Sequence, residues 1–168
     1  MVSAFADSTK PAVTLVGGVV QGKEARIHFR LENVFSPEMA ESLQSGIEIS
    51  FRIDVEVKRI HRNWFNVTIG DYQYTQSIRY DVLSRVYRLR HPDGDEILPD
   101  LEQALDRMTF LQVTVPLSME VTRGKLYRAS VRVRFDRAGL SESLRSIVFF
   151  SSIWDMETNW GSGPVTAP

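Results

Sequence analysis

Apolar and polar residues alternate along most of this chain with a period of two, which sends successive side chains to opposite faces of a sheet. Ile47, Ile49, Phe51, Ile53, Val55 and Val57 alternate with Glu48, Ser50, Arg52, Asp54, Glu56 and Lys58, predicting one long strand with a single buried face. The same rhythm sets Ile27, Phe29 and Leu31 against Arg26, His28 and Arg30. It returns at Leu111, Val113, Val115, Leu117, Met119 and Val121, and at Tyr127, Ala129, Val131, Val133 and Phe135 against Arg128, Ser130, Arg132 and Arg134. Thr122-Arg123-Gly124-Lys125 joins these last two runs and predicts an antiparallel hairpin between them. Strands with one polar face point to antiparallel sheet.

Residues 12–20 are apolar around Gly17-Gly18, and Gln21-Gly22-Lys23 turns the chain into the strand at Ile27. This predicts a first hairpin with a bulge at Gly17 or Gly18. Within residues 72–90 the parity changes, since Ile78, Tyr80 and Val82 share one register while Leu83, Arg85, Tyr87 and Leu89 take the other. A bulge near Val82-Leu83 reconciles them. Pro116 has no donor for a ladder, which places its strand at an edge or distorts it there.

Two helices interrupt the strands. The first has Ser36 as N-cap, Pro37 at its first position, Met39, Ala40 and Leu43 on one side, and Gly46 as its stop. The second starts at Pro99-Asp100 and stacks Leu101, Ala104, Leu105 and Met108 at spacings of three and four. A third, weaker helical pattern covers residues 141–146. His91-Pro92-Asp93-Gly94-Asp95 predicts a surface turn. The expected fold is therefore mainly β in the α+β sense: an antiparallel β-sandwich or a strongly curved sheet with two or three short helices.

Composition narrows the organisation and the compartment. The 168 residues fit one domain. Residues 11–160 form the expected β-rich unit, while Gly161-Ser162-Gly163-Pro164 opens an expected flexible tail over 161–168. Twenty Lys and Arg against 21 Asp and Glu give a net charge of -1, so no global field favours nucleic acid or an anionic membrane, and any such binding would have to come from a local patch. The absence of cysteine removes disulfides, thiolate metal sites and Cys nucleophiles. No apolar run reaches the ~18 residues of a membrane-spanning helix, the densest late stretch at 147–154 being broken by Ser151 and Ser152. Ala4-Phe5-Ala6 before Asp7 fits the small-x-small end of a secretory signal, so residues 1–10 read as a signal remnant and a flexible N-terminus. The expectation is a periplasmic or otherwise exported protein.

Candidate chemistry is sparse. His28, His61 and His91 show no spacing that makes two of them ligands of one metal, and they read as solvated imidazoles. Asp93-Gly94-Asp95-Glu96 lacks the alternating ligands and distal Glu of a calcium loop. Val16-Gly17-Gly18-Val19 lacks the Lys and following helix of a phosphate cradle, and there is no nucleophile elbow. Asn66-Val67-Thr68 matches a glycosylation triplet, which matters only in a host that glycosylates exported chains. No catalytic residue, cofactor or metal is expected.

The arginine rows are the main surface feature. Arg128, Arg132 and Arg134 project from one strand face, and Arg26 and Arg30 from another; if the faces coincide they make a basic strip fit for phosphate or an acidic partner. The alternative is cross-strand pairing with Glu48, Asp54 and Glu56 at up to about 1 kcal/mol per pair, which the balanced total charge favours. Among the aromatics, Trp64 and Trp154 read as core or core-edge packing, and Trp160 as partly exposed. The candidate partner-binding residues are accordingly Arg128, Arg132, Arg134, Arg26, Arg30 and Trp160.

The order of elements carries a resemblance. A helix ending in Glu41-Ser42-Leu43-Gln44-Ser45-Gly46 runs into Ile47-Glu48-Ile49. Then follow Trp64, the stretch Ile78-Arg79-Tyr80-Asp81-Val82-Leu83-Ser84-Arg85-Val86-Tyr87, a helix with Ala104-Leu105, the strand Tyr127-Arg128-Ala129-Ser130-Val131-Arg132-Val133, and Trp154. Over residues 11–160 this resembles an uncharacterised bacterial exported family, domain of unknown function four-three-nine-zero. The resemblance implies an N-terminal signal or anchor, and a gene often set beside a membrane sensor kinase of the nitrogen-regulation type; it implies no catalytic residue. Together these readings lead to an expected non-enzymatic periplasmic binding or adaptor module with an envelope or membrane protein partner, linked to envelope signalling. The alternative is a carrier of a small apolar ligand in a β-sandwich cavity.

Overall fold

The alternating runs fold into strands because only a pleated ribbon puts each run's aliphatic side chains on one side, where each one buried contributes about 1.5–3 kcal/mol. The computed structural model describes residues 10–137 and 155–168. Along the chain come β1 (Ala12–Gln21), β2 (Glu24–Glu32), α1 (Pro37–Gln44), β3 (Ile49–Ile60), β4 (Val67–Asp81), β5 (Val86–His91) and β6 (Gly94–Leu98). After them come α2 (Leu101–Thr109), β7 (Phe110–Pro116), β8 (Leu126–Phe135) and β9 (Gly161–Thr166). The strands form one nine-stranded sheet in the order β6-β5-β4-β3-β8-β9-β1-β2-β7.

The sheet curls over its own apolar face without closing. At one end of β7, the Ser118 amide donates to the Ile69 carbonyl at the start of β4, 2.7 Å away. Beside it, Gly70 leaves room for Leu117 and Val115. Ile27, Phe29, Phe51, Ile53 and Leu89 fill the concave side. Met39 and Leu43 of α1, and Ala104 and Met108 of α2, are buried against that core. Both helix starts are capped as their sequences predict: Met39 N–H donates to Ser36 Oγ at 3.2 Å, and Gln103 N–H to Asp100 Oδ1 at 2.9 Å. Gly46 at φ 87° ends the first turn segment. The fold is thus mainly β within the α+β class, and of the two expected arrangements the strongly curved single sheet is the one present.

Several local expectations are corrected. The runs at 111–121 and 127–135 do not pair with each other: β7 pairs with β2, and β8 lies between β3 and β9. Pro116 ends β7 at the sheet edge, as its missing donor demands, and the long link to Leu126 then crosses to the sheet centre instead of turning back. The parity change near Val82-Leu83 is a chain reversal between β4 and β5 in place of a bulge, with Tyr80 opposite Tyr87. The Asp81 carboxylate holds that turn by accepting from the amides of Leu83 (3.1 Å) and Ser84 (3.0 Å). In the first hairpin the register shift lies between Thr14 and Gly17, with Leu15 at φ 50°, so the bulge precedes the glycine pair.

The expected flexible tail is the largest correction. Residues 161–166 are strand β9, inserted between β8 and β1, antiparallel to the first and parallel to the second. That parallel pair makes the sheet mixed. A Cβ on Gly163 would lie 1.6 Å from the Val16 carbonyl oxygen, and one on Gly161 2.5 Å from that of Val13. The glycines are there for close backbone approach rather than for freedom. The expected third helix at 141–146, Trp154 and the signal-like residues Ala4-Phe5-Ala6 lie outside the described residues.

Candidate functional site

Three places on the outer surface combine chemistry-bearing side chains. The first lies at the sheet centre, where β3 presents Asp54 directly opposite Arg132 of β8 on one side and Gln73 of β4 on the other. One Asp54 oxygen takes Arg132 at 3.1 Å and Arg134 at 3.0 Å, and the other accepts from the Gln73 amide. Burial alone raises the Asp54 carboxyl, but the hydrogen bonds from Gln73 and Arg132 and the charge of Arg134 outweigh it and hold it below the usual aspartate value. Arg132 also meets Glu157 at 3.6 Å and lies 4.8 Å from the Trp160 ring centroid, stacked as a cation on an aromatic face. Trp160 is 41% exposed, in keeping with its expected partial exposure.

The candidate arginines therefore part company. Arg132 and Arg134 are engaged with Asp54, and the cross-strand pairing weighed for this strand is realised through Asp54. Arg128 is exposed, facing Lys58 across β3 and Pro164 across β9. Arg26 and Arg30 are exposed on β2, opposite Thr114 and Phe110 of β7. They share the outer face with the β8 row but stand three strands away, roughly 14 Å at ~4.8 Å per strand. Uncharged Ser162, Pro164 and Thr166 of β9 and Gly17 and Val19 of β1 intervene, so the two rows do not join into one strip.

The second place is a solvent-open cleft of about 280 Å³ where the curled sheet brings β7 towards β4 and β5 under the end of α2. Tyr74, Gln76, Leu89, Arg107, Phe110 and Gln112 line it. Gln76 is buried and donates to the Arg107 carbonyl (3.5 Å) and Met108 Sδ (3.2 Å), anchoring the helix over the cleft. Burial pushes the Tyr74 hydroxyl well above the usual phenol range, so it stays a neutral donor. Arg107 and His91 both approach Glu96, at 3.3 and 3.9 Å. On its far side from β2, β7 pairs with no strand among the described residues. No periodicity announces this cleft, because sheet curvature creates it from segments far apart in the chain.

The third place is the loop between β3 and β4. Trp64 and Phe65 at its tip are 82% and 94% exposed, which overturns the expectation that Trp64 packs at the core edge. β3 ends in the ladder at Ile60 opposite Leu126, and the tip extends past the last paired residues, beyond reach of the core. The polar neighbours Asn63 and Asn66, already visible in sequence, mark the tip as a turn rather than packed chain. Of the histidines, His28 lies on β2, His61 follows β3 and His91 ends β5, and they do not converge. Among the described residues no group of three or more His, Asp or Glu could hold a metal ion, and no helix is long and apolar enough to cross a membrane.

The family model described as Domain of unknown function (DUF4390) matches residues 12–162, close to the span of the resemblance seen in sequence. No curated protein matches the chain.

Proposed function

The chain belongs to that family, whose description carries no activity, and we propose that it is a non-enzymatic, exported binding or adaptor module of the bacterial envelope. It recognises an extended segment of an envelope protein partner along β7. The observation that supports this most is the open edge of β7 beside the cleft. Its amides and carbonyls on that side, unpaired among the described residues, offer a partner strand a ladder, and Tyr74, Gln112 and Arg107 offer polar contacts for alternate side chains. Phe110, exposed at the mouth of the cleft, is an apolar anchor of the kind found at interface centres. The arginine row of β8 is a weaker recognition surface, since its two inner guanidiniums already neutralise Asp54.

Photocrosslinking from Gln112 in intact cells, followed by pull-down from periplasmic extract, tests the reading. The expected result is one dominant crosslinked protein, lost on Thr114→Pro while the melting temperature stays within a few degrees. A chain that is never found in the periplasm, or one that captures nothing from Gln112, overturns it.

A further inference from the structure

We propose that the end of the molecule carrying the β3–β4 loop docks on an anionic lipid surface, with Trp64 and Phe65 entering the headgroup region. Beyond those two, Val67, Leu126 and Met119 are the exposed large apolar residues of the adjoining strand starts and link. All belong to one end of the sheet: Ile60 pairs with Leu126, Ser118 bonds to Ile69, and the Val121 amide donates to the Gly22 carbonyl of the β1–β2 turn. Among the described residues the same end carries Lys23, Arg59, Arg62, Arg123, Lys125 and Arg128 against Glu24 and Glu120, and the loop at 61–66 holds no carboxylate. Lys58, beside them, is matched by Glu56 at 2.8 Å.

An apolar aromatic tip with an excess of basic side chains around it has the two components of interfacial binding: amphipathic rings that settle at headgroup depth, and basic side chains drawn to anionic lipid. A folded protein partner would have to supply a pocket shaped to a protruding loop, whereas a fluid bilayer yields to it. The inference uses a different part of the molecule from the β7 edge and stands or falls separately from it.

Co-sedimentation of the full chain with vesicles of phosphatidylcholine and phosphatidylglycerol, and with phosphatidylcholine alone, tests it. The expected result is binding to the anionic vesicles, weakening as salt is raised. Trp64→Ala with Phe65→Ala should weaken it about tenfold, and Arg62→Gln or Lys125→Gln about fivefold per charge. Thr114→Pro should leave it unchanged. Equal melting curves keep loss of fold out of the comparison. No binding to anionic vesicles, or the same binding by the Trp64/Phe65 variant, overturns the proposal. So does a photocrosslinker at position 65 that labels a protein and no lipid.

Discussion

The middle of β3 and the loop that ends it carry opposite lessons about surface residues. At the middle, Arg132, Arg134 and Trp160, which the sequence offers as candidate partner-binding residues, are engaged within the fold, the two arginines by Asp54 and Trp160 by Arg132, with Gln73 completing the cluster. A few residues on, Trp64 reads as core or core edge in sequence, yet it and Phe65 stand exposed in the fold. Charge does not mark the free surface here, and hydrophobicity does not mark the interior. What decides is whether a neighbouring strand supplies a partner. The middle of β3 has β4 on one side and β8 on the other, while the loop extends past both ladders.

The comparison breaks most sharply at β9, which closes the central region. Gly163→Ala puts a methyl where the Val16 carbonyl already stands, and backbone cannot rotate away as a side chain can. We expect a loss of about 3 kcal/mol or more, roughly 6–12 °C in melting temperature. Gly124→Ala, in the open link, is the control for a glycine that meets no close neighbour but is held at φ 78°; it should cost about 1 kcal/mol through strain. If Gly163→Ala melted like the wild type, β9 would not be packed against β1 as described.

β9 also shows where the chain's pattern stops being legible. The alternation of β2 and β3, the Ser36-Pro37 and Asp100 helix starts and the edge position of Pro116 can be read from neighbouring residues, because local geometry decides them. The partner of a strand cannot. An alternating run at 127–135 fits beside 111–121 as well as beside β3, and only the three-dimensional closure selects. Gly161-Ser162-Gly163-Pro164 satisfies the rules for a loose tail equally well, since the carbonyls it must clear belong to residues almost 150 positions away. The cation–π contact of Trp160 and the cleft at β7 were hidden for the same reason. Pairing of the β8 arginine row with the acidic residues of β3 was legible from their opposite charge bias; that Asp54 would hold Arg132 and Arg134 was not.

Reversing both inner arginines separates the two readings of the β8 row. Arg132→Glu with Arg134→Glu surrounds Asp54 with like charge and removes both guanidiniums that pair with it, and a loss of about 2 kcal/mol is expected. A fall in melting temperature with undiminished crosslinking from Gln112 would show that the row serves the fold. Unchanged melting with lost crosslinking would show that it serves a partner. The milder Asp54→Asn keeps an acceptor and the volume but loses the charge, and should cost about 1 kcal/mol, since both arginines are about one-third exposed and partly screened. Because Asp54 titrates below its usual value in the folded chain, its contribution is complete above the ordinary carboxyl pKa of about 3.9 and fades as pH falls through the lowered folded value. The stability gap between wild type and Asp54→Asn should therefore be flat from neutrality to about pH 5 and narrow below about pH 4.

The smallest effect is the most diagnostic, because it compares two tryptophans in one chain. Trp160 stacks under Arg132 and is more than half covered, so Trp160→Ala removes a cation–π contact worth about 0.5–1 kcal/mol together with some packed area. Trp64 and Phe65 stand almost wholly exposed in their loop, so Trp64→Ala with Phe65→Ala should leave stability within about 0.5 kcal/mol of wild type in dilute buffer. Thermal melting without lipid reads both. A double variant that melted several degrees lower would mean the loop folds back onto the protein, leaving no free aromatic tip to dock on a surface. An unchanged melt would leave two large rings in water with no structural return, and that is the condition under which a surface outside the molecule has something to gain by covering them.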